Sequence, residues 1–241
     1  MLQVMLLSLV AGAATCVGSG FVMFCGRPNQ WSLGLFLGLA VGIMSGVVIF
    51  DLFPSAYRYG SLLTTAGGTG AGFLTLYLLD NLLKVMMRFF GGSRDYSYLL
   101  RMGLLIAIGI ALHDLPEGIA IAAGYSAEEQ LGLLITLAIA LHNIPEGMAT
   151  TAPLWMGGMR RKHIGLVIIM ISMITPLGAM LGLWLVSLSY GLISGLLAFA
   201  AGAMVYIVIL ELAPESLRCS PVRAAFGALI GLSVIIGLTF L

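Results

Sequence analysis

Eight long apolar stretches make up almost the whole of this 241-residue chain, and they limit its possible folds more than any other feature. A helix needs about 20 mostly apolar residues to cross a bilayer. The predicted spans, numbered 1 to 8 along the chain, are residues 1–25, 31–53, 62–87, 98–124, 130–156, 164–189, 191–215 and 222–241. The pattern predicts an all-α polytopic membrane protein in which residues 1–241 form a single transmembrane domain with short loops.

The composition supports the same fold class. Hydrophobic residues make up 60% of the chain and charged residues only 9%, whereas about a quarter of the residues in a soluble domain are charged. So little charge cannot cover a surface that faces water, which excludes a soluble enzyme, a nucleic-acid-binding protein and a disordered tail. The protein is therefore expected to contact the lipid bilayer and no nucleic acid. The cysteines have no paired spacing and predict neither a disulfide framework nor a zinc finger.

The distribution of basic residues predicts how the chain is oriented. Ten of the eleven Lys and Arg residues lie in or beside the loops that join spans 1 and 2, 3 and 4, 5 and 6, and 7 and 8, which we call the basic loops; only Arg58 lies on the other side. Lys and Arg accumulate on the cytoplasmic side of membrane proteins. We therefore expect a multi-pass protein of the cell inner or plasma membrane with both termini extracytoplasmic. Span 1 lacks a basic leading segment, which is typical of a retained span rather than a cleaved signal peptide.

Spans 4 and 5 carry two copies of one polar motif near their centres. The motif reads His-Asp-Leu-Pro-Glu-Gly at 113–118 and His-Asn-Ile-Pro-Glu-Gly at 142–147, a displacement of 29 residues. A charged side chain at the bilayer centre costs about 2.5–3.5 kcal/mol even on the lenient insertion scale, so ionisable residues at this depth indicate a function. Two such motifs in consecutive spans are therefore the strongest functional signal in the chain.

The spacing within the motifs indicates what they can bind. Residues four apart share a helix face, so His113 points with Glu117 and His142 points with Glu146. Consecutive spans run antiparallel, so the motifs face each other across a pseudo-two-fold axis in the membrane plane, the inverted-repeat symmetry of many secondary transporters. Imidazole and carboxylate ligands suit Zn²⁺ and neighbouring divalent ions. The sequence thus predicts eight transmembrane helices with inverted-repeat symmetry and a metal site between spans 4 and 5.

A structural alternative is that these side chains only pair with one another and brace the helices. It is disfavoured because no Lys or Arg lies in the span centres to neutralise the carboxylates of Asp114, Glu117 and Glu146. Asp114 and Asn143 lie one step around their helices from the histidines and can add two further oxygen ligands.

Other polar residues lie towards the span ends. Glu211 precedes Pro214 in span 7 with the spacing of the two motifs, and Asp51 precedes Pro54 at the opposite mouth; both could attract or relay cations, although helix-end solvation explains Asp51 equally well. Asp80 and Lys84 are predicted to form a structural ion pair within span 3. Packing is the first interpretation of Met44 in span 2, with a thioether ligand as the alternative.

The whole chain resembles the ZIP (Zrt/Irt-like) family of divalent-metal transporters. The resemblance rests on the doubled motif in this topology, on Thr-Pro-Leu-Gly-Ala at 175–179 in span 6, and on Ala-Gly-Ala-Met-Val-Tyr at 201–206 and Glu-Leu-Ala-Pro-Glu at 211–215 in span 7. It implies that spans 2 and 7 line the pathway, with Met44 near the family's span-2 position. It also implies that the transported ion binds His113, Glu117, His142 and Glu146. Asp114 and Asn143 would then help to form a second, adjacent metal site that shares both glutamates.

The sequence departs from the family pattern at three places. Asp114 stands where many members have Asn after the first histidine, and Thr175 stands where several have Glu before the span-6 proline. The departure at Thr175 bears on whether the second metal site is fully occupied. Gly91–Ser97 is too short to form the long His-rich loop that many eukaryotic members carry between spans 3 and 4.

Together these features predict a secondary transporter, not an enzyme, that imports divalent metal ions into the cytoplasm by alternating access. Zn²⁺ is the first candidate substrate, bound at one or two adjacent sites, and iron, manganese and cadmium are further candidates. An intramembrane zinc hydrolase is the rival class, but the chain has no His-Glu-x-x-His motif. A metal-sensing receptor would need a soluble signalling domain. A homodimer is left open.

Overall fold

The structure is a computed structural model that describes residues 1–89, 94–185 and 190–239. Within these residues all regular structure is helical, and eight helices are long and apolar enough to cross a membrane. They match the eight predicted spans in order, so the chain is a multi-pass membrane protein. The Gly91–Ser97 segment and the predicted ends of spans 6 and 8 lie wholly or partly outside the described residues.

Five of the spans are single helices and three are interrupted. The continuous ones are Leu2–Cys25, Leu62–Phe89, Arg94–Ala127, Glu129–Met156 and Pro221–Thr239, which are spans 1, 3, 4, 5 and 8. Span 6 consists of Arg161–Ser172 and Ile174–Leu185. Spans 2 and 7 each contain a five-residue π turn: Gln30–Val47, Val48–Leu52 and Phe53–Tyr59 form span 2, and Tyr190–Ile207, Val208–Leu212 and Ala213–Cys219 form span 7.

The two π turns explain why spans 2 and 7 are longer than predicted. The sequence-based ends, residues 53 and 215, were set close to Pro54 and Pro214, but the helices continue to Tyr59 and Cys219. In each case the proline lies in the first turn of the helical segment that follows the π turn. A proline is tolerated there because it has no N–H to satisfy and its fixed φ is compatible with the first turn of a helical segment.

The spans pack as two groups. In the motif group, span 5 packs against spans 1 and 4, and span 4 packs against span 6. In the flanking group, span 2 packs against span 8, and span 3 packs against span 7. The groups meet chiefly where span 4 contacts span 7 and where span 5 contacts span 2. The paired motifs therefore lie inside the motif group, next to the two broken helices of the flanking group.

The glycine that ends each motif permits a close contact between helices. A Cβ atom on Gly118 would overlap the carbonyl oxygen of Thr175 in span 6, and one on Gly147 would overlap the carbonyl oxygen of Thr15 in span 1. Both positions therefore require glycine for the observed packing. These contacts clamp each motif against an outer helix of its own group and fix the height of the polar residues.

The basic loops lie at one end of the bundle, which we call the basic end. The beginnings of spans 2 and 4 and the ends of spans 5 and 7 surround a cavity of about 200 Å³ there, the vestibule, whose walls include Gln30, Tyr98, Met156, Glu215 and Cys219. At the opposite end the Tyr125 hydroxyl donates a 2.6 Å hydrogen bond to Oε1 of Gln3, joining the end of span 4 to the start of span 1.

Candidate metal centre

The structure brings the two predicted motifs into contact through pairs that cross between spans 4 and 5. Nε2 of His142 lies 3.1 Å from Oε1 of Glu117. Nε2 of His113 lies 3.3 Å from Oε2 of Glu146, its hydrogen-bonding partner, and 3.2 Å from Oε1. Each histidine thus meets the glutamate of the other motif. His113, Asp114, Asn143 and Glu146 are completely buried, and Glu117 and His142 are nearly so.

The environment of His113 selects the nitrogen that faces the site. Its Nδ1 lies 3.1 Å from the Gly109 carbonyl oxygen, which can only accept a hydrogen bond. A neutral His113 therefore carries its proton on Nδ1 and presents the Nε2 lone pair to Glu146, the arrangement that backbone carbonyls impose on metal-binding histidines. A lone pair facing a carboxylate is repulsive unless a cation or a proton lies between them.

Three ligand atoms converge around this lone pair. Oδ1 of Asp114 lies 3.5 Å from Nε2 of His113, and the ligand atoms offered by His113, Asp114 and Glu146 lie within 4.8 Å of one another. One imidazole nitrogen and two carboxylates form a donor set that suits Zn²⁺ and similar divalent ions.

Several buried oxygens of the motifs accept no hydrogen bond within the described part of the chain: both oxygens of Asp114, Oε2 of Glu117, Oε1 of Glu146 and Oδ1 of Asn143. Buried polar atoms in proteins are almost always paired, because an unpaired one costs free energy. Nδ2 of Asn143 donates a 2.9 Å hydrogen bond to the Ala11 carbonyl, which orients the amide and leaves its oxygen for the site. A divalent cation would satisfy this cluster of acceptors.

Thr175 lies completely buried where span 6 touches Gly118. Its hydroxyl has no hydrogen-bond partner among the described residues, so it does not bond the backbone near Pro176. Met44 is also buried, within the large apolar core of the bundle. Its predicted role on the pathway stays a prediction.

Glu211 is buried and paired with Arg101, one of the ten basic residues that lie in or beside the basic loops. Nη1 and Nη2 of Arg101 donate hydrogen bonds of 3.0 and 3.2 Å to Oε1 and Oε2 of Glu211. Arg101 also pairs with Asp80, whose predicted ion pair with Lys84 is confirmed. Arg101 lies just inside span 4. Its partners Asp80 in span 3 and Glu211 in span 7 lie at the same depth, and these two acidic residues were the signal in the sequence from which the network could have been predicted.

The chain matches known proteins over most of its length. The family model described as "ZIP Zinc transporter" matches residues 91–239. The zinc transporter GufA of Myxococcus xanthus is 30% identical over 221 residues, which cover 88% of this chain and 87% of the relative. The zinc transporter ZupT of Chlorobaculum parvum is 30% identical, and the match covers 98% of this chain and 95% of the relative. The zinc transporter ZupT of Lysinibacillus sphaericus is 32% identical, and the match covers 93% of this chain and 91% of the relative.

These relatives are named transporters, not enzymes. The match extends over both motifs, the broken helix of span 7 and the close contacts with span 6. On the family model and on the relatives alike, this chain belongs to the ZIP zinc transporter family.

Proposed function

We propose that this protein carries Zn²⁺ through the membrane into the cytoplasm. The observation that carries the proposal is the buried set of motif oxygens that have no hydrogen-bond partner among the described residues and surround the crossed His–Glu pairs of spans 4 and 5. An arrangement that only braced helices would pair its acceptors with donors. The names of the relatives support zinc as the substrate, and iron, manganese and cadmium ions would suit the same nitrogen and oxygen ligands.

In this proposal the transported ion exchanges its hydration shell for four side chains, His113, Glu117, His142 and Glu146. A second, adjacent ion uses Asp114 and the oxygen of Asn143 and shares the two glutamates. Met44 and Glu211 lie along the pathway on either side. Because these ligands bind metal only when deprotonated, zinc binding would release protons from the site.

The proposed mechanism is alternating access within one transporter domain. Exchanging span 1 with 6, 2 with 7, 3 with 8 and 4 with 5 leaves the main helix pairings unchanged. The π turns Val48–Leu52 and Val208–Leu212, and the glycine contacts of the two motifs, are related in the same way. These correspondences support an inverted repeat, and a repeat of this kind gives the central site equivalent routes to both sides.

The direction of transport is inferred from the basic loops. They gather at the vestibule end, and the positive-inside rule assigns that end to the cytoplasm. The protein would then lie in the inner or plasma membrane with both termini outside.

Uptake of radioactive zinc into proteoliposomes tests the proposal. We expect Glu117→Ala and Glu146→Ala each to lower the uptake rate by more than about tenfold, since loss of even an indirect partner of a bound metal has effects of 10–100-fold. Glu129→Ala, which removes an exposed carboxylate from the start of span 5, is the matched control and should transport normally. Folded Glu117→Ala and Glu146→Ala proteins with full uptake would refute the proposal.

A further inference from the structure

A buried ion-pair network ties the motif group to the flanking group near the basic end. Arg101 of span 4 is 7% exposed, and its guanidinium donates to Glu211 of span 7 at 3.0 and 3.2 Å and to Asp80 of span 3. Asp80 also accepts a 3.0 Å hydrogen bond from the Tyr206 hydroxyl. Among the ion pairs of the described residues, those made by Arg101 are the ones that cross between the two groups.

The network lies between the vestibule and the metal centre. Arg101 precedes His113 by twelve residues of continuous helix, which is about 18 Å at 1.5 Å per residue. On its other side the Arg101 guanidinium lies 5.3 Å from the centroid of the Tyr98 ring, and Tyr98 forms part of the vestibule wall. Glu211 lies one helical turn deeper in the bundle than Glu215, which also forms part of the vestibule wall. A cation moving from the centre to the vestibule along spans 4 and 7 must pass this layer.

The opposite mouth has no equivalent closure in the part of the chain that the structure describes. Asp51 occupies the same position in the π turn of span 2 as Glu211 does in span 7. It is exposed, however, and accepts a 3.2 Å hydrogen bond from the Ser55 hydroxyl rather than an ion pair. The two broken helices thus present one exposed acidic residue, Asp51, and one buried acidic residue, Glu211, that is paired with a side-chain cation.

A buried guanidinium is an effective barrier to a divalent ion. Its charge repels the ion, and it occupies the two carboxylates that would otherwise attract one. Removing Arg101 without replacement would leave the buried carboxylate of Glu211 unpaired, which is strongly unfavourable, whereas Asp80 would keep Lys84 and Tyr206 as partners. The observed arrangement is the closed one, and an open arrangement would need other cations or water near the Glu211 carboxylate.

We propose that Arg101 is the gate residue of the basic end. Its ion pairs with Asp80 and Glu211 hold this end closed while the metal centre communicates with the other side, and they separate when the ion is released. The proposal rests on the proposed function for the identity of the ion, but the closure itself is a property of the conformation and can be measured without transport.

A reporter cysteine behind the gate tests this. Ile207 is fully buried one turn before Glu211, where a Cβ on Gly109 of span 4 would touch it. Ile207→Cys is introduced into a chain whose three native cysteines are replaced by serine, and a membrane-impermeant maleimide is applied in turn to each side of proteoliposomes. The gate variant is Arg101→Gln combined with Glu211→Gln, which removes both partners and leaves Asp80 paired with Lys84 and Tyr206.

We expect the gate variant to increase the labelling rate from the basic end by about tenfold, within the usual range for coupling between two conformational states. The control Lys84→Gln removes a charge from the same network, but its ion pair lies within span 3, so labelling should stay at the reference rate. Arg101→Lys, which keeps the charge but loses the two-pronged contact with Glu211, should give an intermediate rate.

Equal labelling rates in the reference, the folded double variant and Arg101→Lys would overturn the gate. Equal acceleration by Lys84→Gln would also overturn it, because the effect would then be a general loosening of the network. If the double variant does not fold, Arg101→Lys against Lys84→Gln decides the question. Since labelling requires no zinc, accelerated labelling of the gate variant together with an unmodified chain that takes up no zinc would refute the proposed substrate and leave the gate standing.

Discussion

At the scale of single residues, the two motifs differ at the position after the histidine, and this difference decides what each can offer to a metal. The side-chain amide of Asn143 donates a 2.9 Å hydrogen bond to the Ala11 carbonyl, and its oxygen is the one ligand atom that it can offer to a metal. An ionised Asp114 has no hydrogen to donate, and both of its oxygens are buried without a partner in the described structure. The span-4 side of the site therefore offers one carboxyl group more than the span-5 side.

This asymmetry predicts the behaviour of the second metal position. Asp114→Asn should lower the number of zinc ions bound per chain while transport persists at an altered rate, because the crossed His–Glu pairs survive. Thr175→Glu should strengthen the second position, because it adds a carboxylate at a buried site beside Gly118. Zinc bound per purified chain, measured by elemental analysis, checks both changes.

Thr175→Gln is the control for Thr175→Glu, since it adds the same bulk without the charge. It should bind no more zinc than the unmodified chain. If the unmodified chain, Asp114→Asn and Thr175→Glu all bind the same number of ions, the two-site proposal fails.

That the two motifs meet could be predicted, because a doubled polar motif in apolar spans has few explanations. The crossed pairing could not, because the i,i+4 rule places His113 and Glu117 on one face but does not say which neighbouring helix meets that face. Arg101 was missed for another reason. A charge close to a span end looks like part of the adjacent loop until the depths of its partners Asp80 and Glu211 are known.

At the scale of helices, the glycine contacts set the height of the motifs. Gly118→Ala would push span 4 away from the Thr175 carbonyl, so we expect it to lower the free energy of unfolding by about 1–3 kcal/mol, as overpacking in a tight contact does. Zinc uptake should fall together with the stability, because the contact of Gly118 also positions the preceding residue, Glu117. Denaturant unfolding in detergent micelles, followed by circular dichroism, measures the change.

Gly165→Ala in span 6 is the matched control, because no atom lies within 4 Å of a Cβ at that position. It should leave stability unchanged or raise it by up to about 1 kcal/mol, the helix propensity difference between the two residues. Comparable losses in both variants would mean that the Gly118 contact has no special part in packing.

The lengths of the helices were harder to predict than their number. From the apolar stretches alone, spans 2 and 7 were predicted to end at residues 53 and 215, close to Pro54 and Pro214. In the structure, Phe53 N–H and Ala213 N–H bond the carbonyls of Val48 and Val208, five residues earlier. These π turns let the helices continue, and no pattern of hydrophobic residues distinguishes such a continuation from a termination.

At the scale of the whole molecule, the orientation remains a prediction with a direct test. Single cysteines at Glu128 and Arg160, both exposed and at opposite ends of span 5, are introduced into a chain lacking Cys16, Cys25 and Cys219. In intact cells, an impermeant thiol reagent should label the cysteine at 128, and the cysteine at 160 only after the membrane is opened. The reverse pattern would reverse both the assigned orientation and the direction of transport.

The size of the vestibule has a consequence for the energy of ion release. A water molecule occupies about 30 Å³ in the liquid, so a cavity of about 200 Å³ has room for roughly six of them. In the proposed cycle, an ion that leaves the protein ligands can therefore regain a first shell of water within the vestibule, next to the carboxylate of Glu215. In the proposed transport cycle, dehydration at one side of the membrane is then balanced by rehydration in the vestibule, so that the ion would reach the cytoplasm already solvated.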